Sequence, residues 1–315
     1  MPPILTITPL EARRLAIICQ RLDQLDAASQ HDQPRTVSNE AIVETVRALG
    51  CVQIDAVRAV EATQLLVLWS RLGLFDPAQL DHLCFTDVRL FEYWAHAASI
   101  LPVDEYPLHA CRMHQRRTRV HETNDWLAAN HRLQKHILTR LAADGPLPTD
   151  AFDDVAEVPW KSSGWTGERN VAMMLSRLWT QGDIMIAGRK GQRRYWHLTK
   201  AHLPAAVPRK RLSEPAAVKR AVVIALQALG VATPKQIRQH YTRGFYPELE
   251  KVLTRLVKAG VVLEVHIRDH ATEWPGPWYM LATTVAQLDS LRAGDWRPRT
   301  ALLSPFDNLI CDRDR

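Results

Sequence analysis

GERNVAMMLSRLWTQGDIMIAGRKGQRRYWHLT, residues 167–199, joins a helical pattern to two β-like runs. Val171, Met174, Leu175 and Leu178 recur at helical spacing, which predicts an amphipathic helix. Gly182 then marks the helix end, where a left-handed cap favours glycine. Two β-like runs follow, IMIAG and RRYWHL, around a basic turn. The ending LxxLxxxGx[IV] before paired β-like runs returns at residues 253–262. In the first copy the helix is preceded by HILTRLAADG (136–145). In the second it is preceded by AAVKRAVVIALQALG (216–230) and TPKQIRQHY (233–241), the latter with Thr233 as N-cap and Pro234 at the first helical position. YPELEKVLTRLVKAG (246–260) is then the third helix, and VVLEVHIRD (261–269) with WPGPWYML (274–281) reads as a hairpin. Three helices and a hairpin, in that order, are the order of a winged helix, whose third helix usually enters the major groove. The expected fold class is mainly α with small β-hairpins, in tandem winged-helix (helix-turn-helix) modules.

Residues 9–24 read as a helix capped by Thr8 with Pro9 at its start, and ASQHDQPRT (28–36) reads as a loop. Ser38 caps SNEAIVETVRALG (38–50), without a capping box because Ala41 stands three residues on. CVQID (51–55) is short and β-rich, and residues 57–73 form a helix stopped by Gly73. From Asp76 the pattern reads as helical and aromatic-rich through FEYWAHAASILP, broken by Pro102 and Pro107; residues 108–143 read as basic helix. The expected domains are 1–125 (a divergent winged helix with a helical extension), 126–204 (a winged helix with a basic wing), 205–290 (a winged helix) and 291–315 (the start of a C-terminal segment). AHLPAAVPRKRLSEPAAVKR (201–220) is the linker between the two clear copies.

The 315 residues allow two or three domains. With 40 Lys+Arg against 34 Asp+Glu the net charge is +6, which favours anionic partners, nucleic acid ahead of membrane. No stretch approaches the ~20 apolar residues that cross a bilayer, and residues 1–14 lack the basic start of a signal peptide. Five cysteines without a CxxC pair read as buried, reduced thiols of a cytoplasmic chain, nucleoid-associated when bound to DNA. Phosphate neutralisation by Lys and Arg carries nucleic-acid affinity. It points to Arg112, Arg116 and Arg117 on the basic helix and to Arg189, Lys190, Arg193 and Arg194 at the wing. The linker triplet Arg209, Lys210 and Arg211 reads equally well as solvated surface. Trp69, Trp94, Trp126 and Trp179, in helical stretches, are expected in the core. Trp160 and Trp165, in a loop, are expected at the surface.

Phosphate-cradling GxxxxGK[ST] and GxGxxG are absent, as is GxSxG. HETND (121–125) lacks the second histidine of HExxH because position 125 is Asp. No histidine or cysteine spacing suggests a metal site, and no cofactor is expected. Gln53 and Asp55 in CVQID remain: strand residues two apart share a face, so the amide and carboxylate can hold a water or stabilise positive charge on a sugar. From spacing alone, a pair that caps a neighbouring helix would look the same.

LGCVQIDAV (49–57), LWSRLGLFD (68–76), LFEYWAHAASILP (90–102), Arg112-Met113, the opening stretch and LLSPFDNLI (302–310) together resemble the winged-helix DNA glycosylases of interstrand-crosslink repair, the YcaQ/AlkZ-like family. The resemblance covers nearly the whole chain in the family's order. It implies removal of N7-alkylated or crosslinked purines from duplex DNA by hydrolysis of the N-glycosidic bond, without metal or cofactor, by a protein expected to be a monomer. The family's Gln-apolar-Gln or Gln-apolar-Asp motif stands here as Gln53-Ile54-Asp55, and the resemblance implies that this pair is catalytic. Asp55 is expected to stabilise the sugar cation and orient or deprotonate water, and Gln53 to position that water. His96 is an expected neighbour of the site. Relatives commonly carry Arg-Ala-His where this chain has Ala62, Thr63 and Gln64, and an Arg where it has Ala110-Cys111. Relatives also continue past SPFDNL into a β-rich portion, so apolar surface is expected to be exposed near residues 302–310. The alternative is a non-catalytic tandem winged-helix DNA-binding protein, either a regulator or a decayed glycosylase.

Overall fold

The computed structural model describes residues 4–23, 37–55, 58, 60–123, 125–161, 169–242 and 244–312, and for 119–123 the backbone alone. The expected loop at 28–36, Trp165, and the side chains of Arg119, His121 and Glu122 lie outside the described residues. The chain is mainly α with small sheets. Its first stretch runs β1 (Leu5–Ile7), α1 (Pro9–Cys19), α2 (Asn39–Leu49), β2 (Val52–Gln53), α3 (Thr63–Leu72), α4 (Pro77–Phe85), β3 (Leu90–Trp94) and β4 (Ala98–Pro102). There follow α5 (Tyr106–Thr123), α6 (Asp125–Ala129), α7 (His131–Asp144), β5 (Leu147–Pro148), α8 (Asn170–Gln181), β6 (Ile184–Lys190), β7 (Arg193–Leu198) and α9 (Thr199–His202). The last stretch is α10 (Glu214–Leu229), β8 (Val231–Ala232), α11 (Pro234–His240), α12 (Leu249–Lys258), β9 (Val262–Ile267), β10 (Trp278–Leu281) and α13 (Val285–Arg292).

The helix starts follow local chemistry. Thr8 and Glu11 cap α1 reciprocally: the Glu11 N–H donates to Thr8 Oγ1 at 3.1 Å and the Thr8 N–H to Glu11 Oε2 at 2.6 Å. Thr233 and Gln236 do the same for α11, and each helix has Pro at its start. Ser38 caps α2 alone, accepting from Ala41 N–H at 3.2 Å.

The chain divides into two compact units: residues 1–80, 94–102 and 214–315 form the first, and residues 81–93 and 103–213 the second. In the first unit a four-stranded sheet has the order β1-β9-β10-β8. β1 lies parallel to β9, with Leu5 opposite Val265, and the other pairs are antiparallel. Ile7, Leu15, Val265, Ile267, Met280 and Leu288 form its core beneath α1 and α13. In the second unit the sheet is β5-β7-β6, with α7 and α8 against it and α5 on α8. Two segments share an order. α7, β5, a 3-10 turn (Thr149–Ala151), α8, β6, β7 is matched by α10, β8, α11, α12, β9, β10. In each, the short strand pairs with the last one, Leu147 opposite Trp196 and Ala232 opposite Tyr279.

Residues 90–102 correct the helical reading: they are strands β3 and β4. Four of the five residues in each are buried, so the alternation that marks a half-buried strand is missing. The alanines between them imitate a helix. Trp69 also differs from expectation, at 40% exposure. α3 buries Val67, Leu68, Ser70, Arg71 and Leu72 instead. Trp94 is half-buried on a strand, whereas Trp126 and Trp179 are buried on helices. Trp160 packs edge-on against Trp126 at 5.3 Å and is half-buried. Cys51, Cys84 and Cys111 are buried, while Cys19 and Cys311 are partly so. Leu302 is 76% exposed and Ile310 43%.

Candidate active site and nucleic-acid contacts

α2 ends at Gly50, whose φ of 78° turns the chain into β2. The turn is tight: a Cβ at Gly50 would stand 2.5 Å from Ile224 Cγ2. Cys51 is buried, and β2 pairs antiparallel with β4, Val52 opposite Ile100 and Gln53 opposite Ser99. The Ile54 N–H still donates to Ala98 O at 2.8 Å, so the pairing runs one residue past the strand and Asp55 follows directly. Gln53, Ile54 and Asp55 are half-buried.

His96 sits just before β4, in a bend where Ala95 N–H donates to Ala97 O at 2.9 Å. Its Nε2 is 3.1 Å from Gln53 Oε1, and its Nδ1 is 3.5 Å from Cys51 Sγ. Burial pushes the Cys51 thiol up to about 12, with Cys311 adding to the rise, so Cys51 is a neutral S–H. The expected neighbour of the motif thus touches it directly.

Asn308, in the SPFDNL segment, holds the backbone that leads into β2. Its Nδ2 donates to Cys51 O at 2.7 Å and to Leu49 O at 3.4 Å. The segment is anchored by an ion pair in which both side chains are fully buried: Arg71 Nη2 donates to Asp307 Oδ1 at 2.8 Å, and Nη1 meets Oδ2. Arg71 Nε also donates to Gln20 O at 3.0 Å. Thr63, at one of the positions that departs from the family pattern, meets Ser304 Oγ at 3.3 Å. Within SPFDNL, Ser304, Asp307 and Asn308 are buried polar groups, which call for hydrogen-bond partners. Cys51, Arg71 and Asn308 carry no catalytic signature; their only signal is their place inside the family-like motifs.

In the second unit the basic residues fare differently from one another. Arg112 is only 7% exposed, and its charge acts on Tyr93 and His109. Arg116 lies over the Tyr93 ring at 5.6 Å and donates to Tyr93 Oη at 3.3 Å. Arg117 is exposed and donates to Asp183 at 2.7 Å. Arg189 grips the buried Glu92 with two hydrogen bonds, at 2.5 and 2.6 Å, and this pairing explains the one charge in strand β3. Arg194 lies over the rings of both Trp179 and Trp196, at 5.4 and 5.9 Å. Arg193 pairs with Asp150, and Lys190 is exposed. Arg209, of the linker triplet, donates to Leu203 O at 2.7 Å. Among the described residues, no three His, Cys, Asp or Glu side chains form a group that could hold a metal. No helix among them is long and apolar enough to cross a membrane.

Gln53 ends β2 with its amide against His96, and Asp55 follows just past the strand; an amide and a carboxylate are residue types able to order water. The sequence model of the DNA glycosylase AlkZ-like family matches residues 46–315, which contain every candidate site residue named above. The chain belongs to that family. Among solved structures it is similar to the Streptomyces sahachiroi DNA glycosylase AlkZ, with 18% identity and a TM-score of 0.62 over 96% of this chain and 77% of that one. At that identity the likeness shows a shared fold.

Proposed function

We propose that the chain is a monofunctional DNA N-glycosylase that acts as a monomer on N7-alkylated or crosslinked purines in duplex DNA. The observation that carries this reading is Gln53-Ile54-Asp55 at the end of β2, within the family match, with Gln53 held by His96. N7 alkylation makes the base a cationic leaving group, so little acid catalysis is needed. As the glycosidic bond breaks, its electron pair passes to the base and neutralises it. Asp55 stabilises the oxocarbenium-like sugar and takes a proton from the water that attacks C1′. Gln53 orients that water. The products are the free base and an abasic site. A crosslinked base cannot be fully extruded from the duplex, so an open cleft suits this substrate.

The scaffold reads as tandem winged helices. The shared element order and the pairing of first with last strand in the two segments support it. The segment α2, β2, α3, α4, β3, β4 has the same order, and β2 pairs with β4 likewise. On this reading the motif lies on the short first strand of a third module. Phosphate contact falls chiefly to Arg116, Arg117, Lys190, Arg193 and Arg194, whereas Arg112 and Arg189 are absorbed by the protein interior.

Incubation with a duplex carrying one N7-methylguanine, followed by chromatography of the released base, tests the reading. Release from that duplex and none from its undamaged counterpart is expected. Tight binding with no release, from that duplex and from one carrying an N7-linked crosslink, would establish the non-catalytic DNA-binding alternative instead.

A further inference from the structure

We propose that His96 is a positioning residue that fixes which end of the Gln53 amide faces the reacting water. This rests on the reading of Gln53 as catalytic. An amide has a donor end and an acceptor end of nearly the same shape, and only a directional partner can tell them apart. Gln53 Oε1 stands 3.1 Å from His96 Nε2. With the amide in this orientation the ring nitrogen that faces Oε1 carries the proton, and Nε2–H donates. Nδ1 is then an acceptor, and it lies 3.5 Å from Cys51 Sγ. A buried thiol that keeps its proton has an S–H to offer there.

The opposite arrangement puts the proton on Nδ1, turns Sγ into an acceptor and rotates the amide to donate into Nε2. Sγ already faces Asn308 Nδ2 at 4.0 Å as well as the Ser99 side chain, so a thiol that gives its proton to the ring suits this neighbourhood better. With Oε1 tied to the ring, both amide hydrogens and the second lone pair of Oε1 are left for water or DNA. Cys51 and Asn308 act one step further back: Asn308 holds the Cys51 carbonyl at 2.7 Å, so the thiol, the imidazole and the amide keep one register. The bend that carries His96 lies next to β4, the strand that pairs with β2, so one short ladder places both ends of the hydrogen bond.

Two measurements test this. Nitrogen-15 NMR of the wild-type protein, with the His96 signals assigned by their loss in His96→Gln, reads the tautomer directly. Nε2–H is expected, and Nδ1–H would overturn the proposal. Single-turnover base release from the N7-methylguanine duplex then reads its consequence. His96→Leu should slow release by about 10- to 100-fold, the scale of a misplaced reacting group, with duplex affinity unchanged. His96→Gln, whose amide N–H reaches the place of Nε2–H, should recover most of the rate. Wild-type rate in His96→Leu, or no recovery in His96→Gln, contradicts the role. If the wild type releases no base at all, the glycosylase reading fails, while the NMR tautomer still decides the His96–Gln53 geometry.

Discussion

His109 packs edge-on against Phe91 and Tyr93, with ring centroids 5.7 and 5.6 Å away, and it is fully buried. Burial, then the nearby charges of Arg112 and Arg116, hold its pKa well below its ordinary 6.5. The unfolded chain therefore binds a proton below pH 6.5 that the folded protein refuses. Stability is complete above that value and is lost as pH falls through it, by at most about 1.4 kcal/mol per pH unit. Denaturant midpoints compared between pH 7.5 and 5.5 should fall for the wild type and fall distinctly less for His109→Phe; equal losses would refute this. At this scale the sequence offers Gln53 and Asp55 as candidates, through motif resemblance alone. It does not reveal that Arg112 lies inside, because a helix bearing several arginines does not say which one turns inward. Nor does it reveal the Cys51–His96–Gln53 contacts, which join residues more than forty positions apart.

Helices with capping residues at their starts and glycines at their ends are legible at the level of elements: Thr8, Ser38 and Thr233 begin helices, and Gly50, Gly182 and Gly230 end them. Strands β3 and β4 are not, because burial on both faces erases their period. β1 escapes for another reason: its three residues become a strand only by lying along β9, far away in the chain. The join between α2 and β2 is the element-level feature that most directly supports the site. Gly50→Ala must hold a side chain at φ 78° and push Ile224 aside. It should cost about 2 kcal/mol or more, read as a lower urea midpoint. An unchanged midpoint would mean that Gly50 does not constrain the turn.

A net charge of +6 says little by itself; its distribution after folding decides which cations are free to meet phosphate. The tandem order of helices and hairpins is legible because one pattern occurs twice. The sorting of the basic residues is not, because their partners Glu92, Asp150, Asp183 and Trp179 lie outside the elements that carry them. Lys190→Ala should weaken binding to any duplex and reduce the slope of log affinity against log salt by about 1, with no loss of stability. Arg189→Ala should instead destabilise the protein by about 3 kcal/mol, because Glu92 is left buried and unpaired. Salt titrations and thermal melts of the two variants separate these effects; a stability loss for Lys190→Ala as large as that for Arg189→Ala would contradict the sorting. Hydrolysis by the Gln53–Asp55 pair on DNA held by this scaffold is read from single-turnover release of N7-methylguanine from duplex DNA by the wild type and Asp55→Asn. Loss of the carboxylate should slow release by about 100-fold or more while duplex affinity stays the same. Equal rates for the two proteins would remove Asp55 from the chemistry and contradict the account.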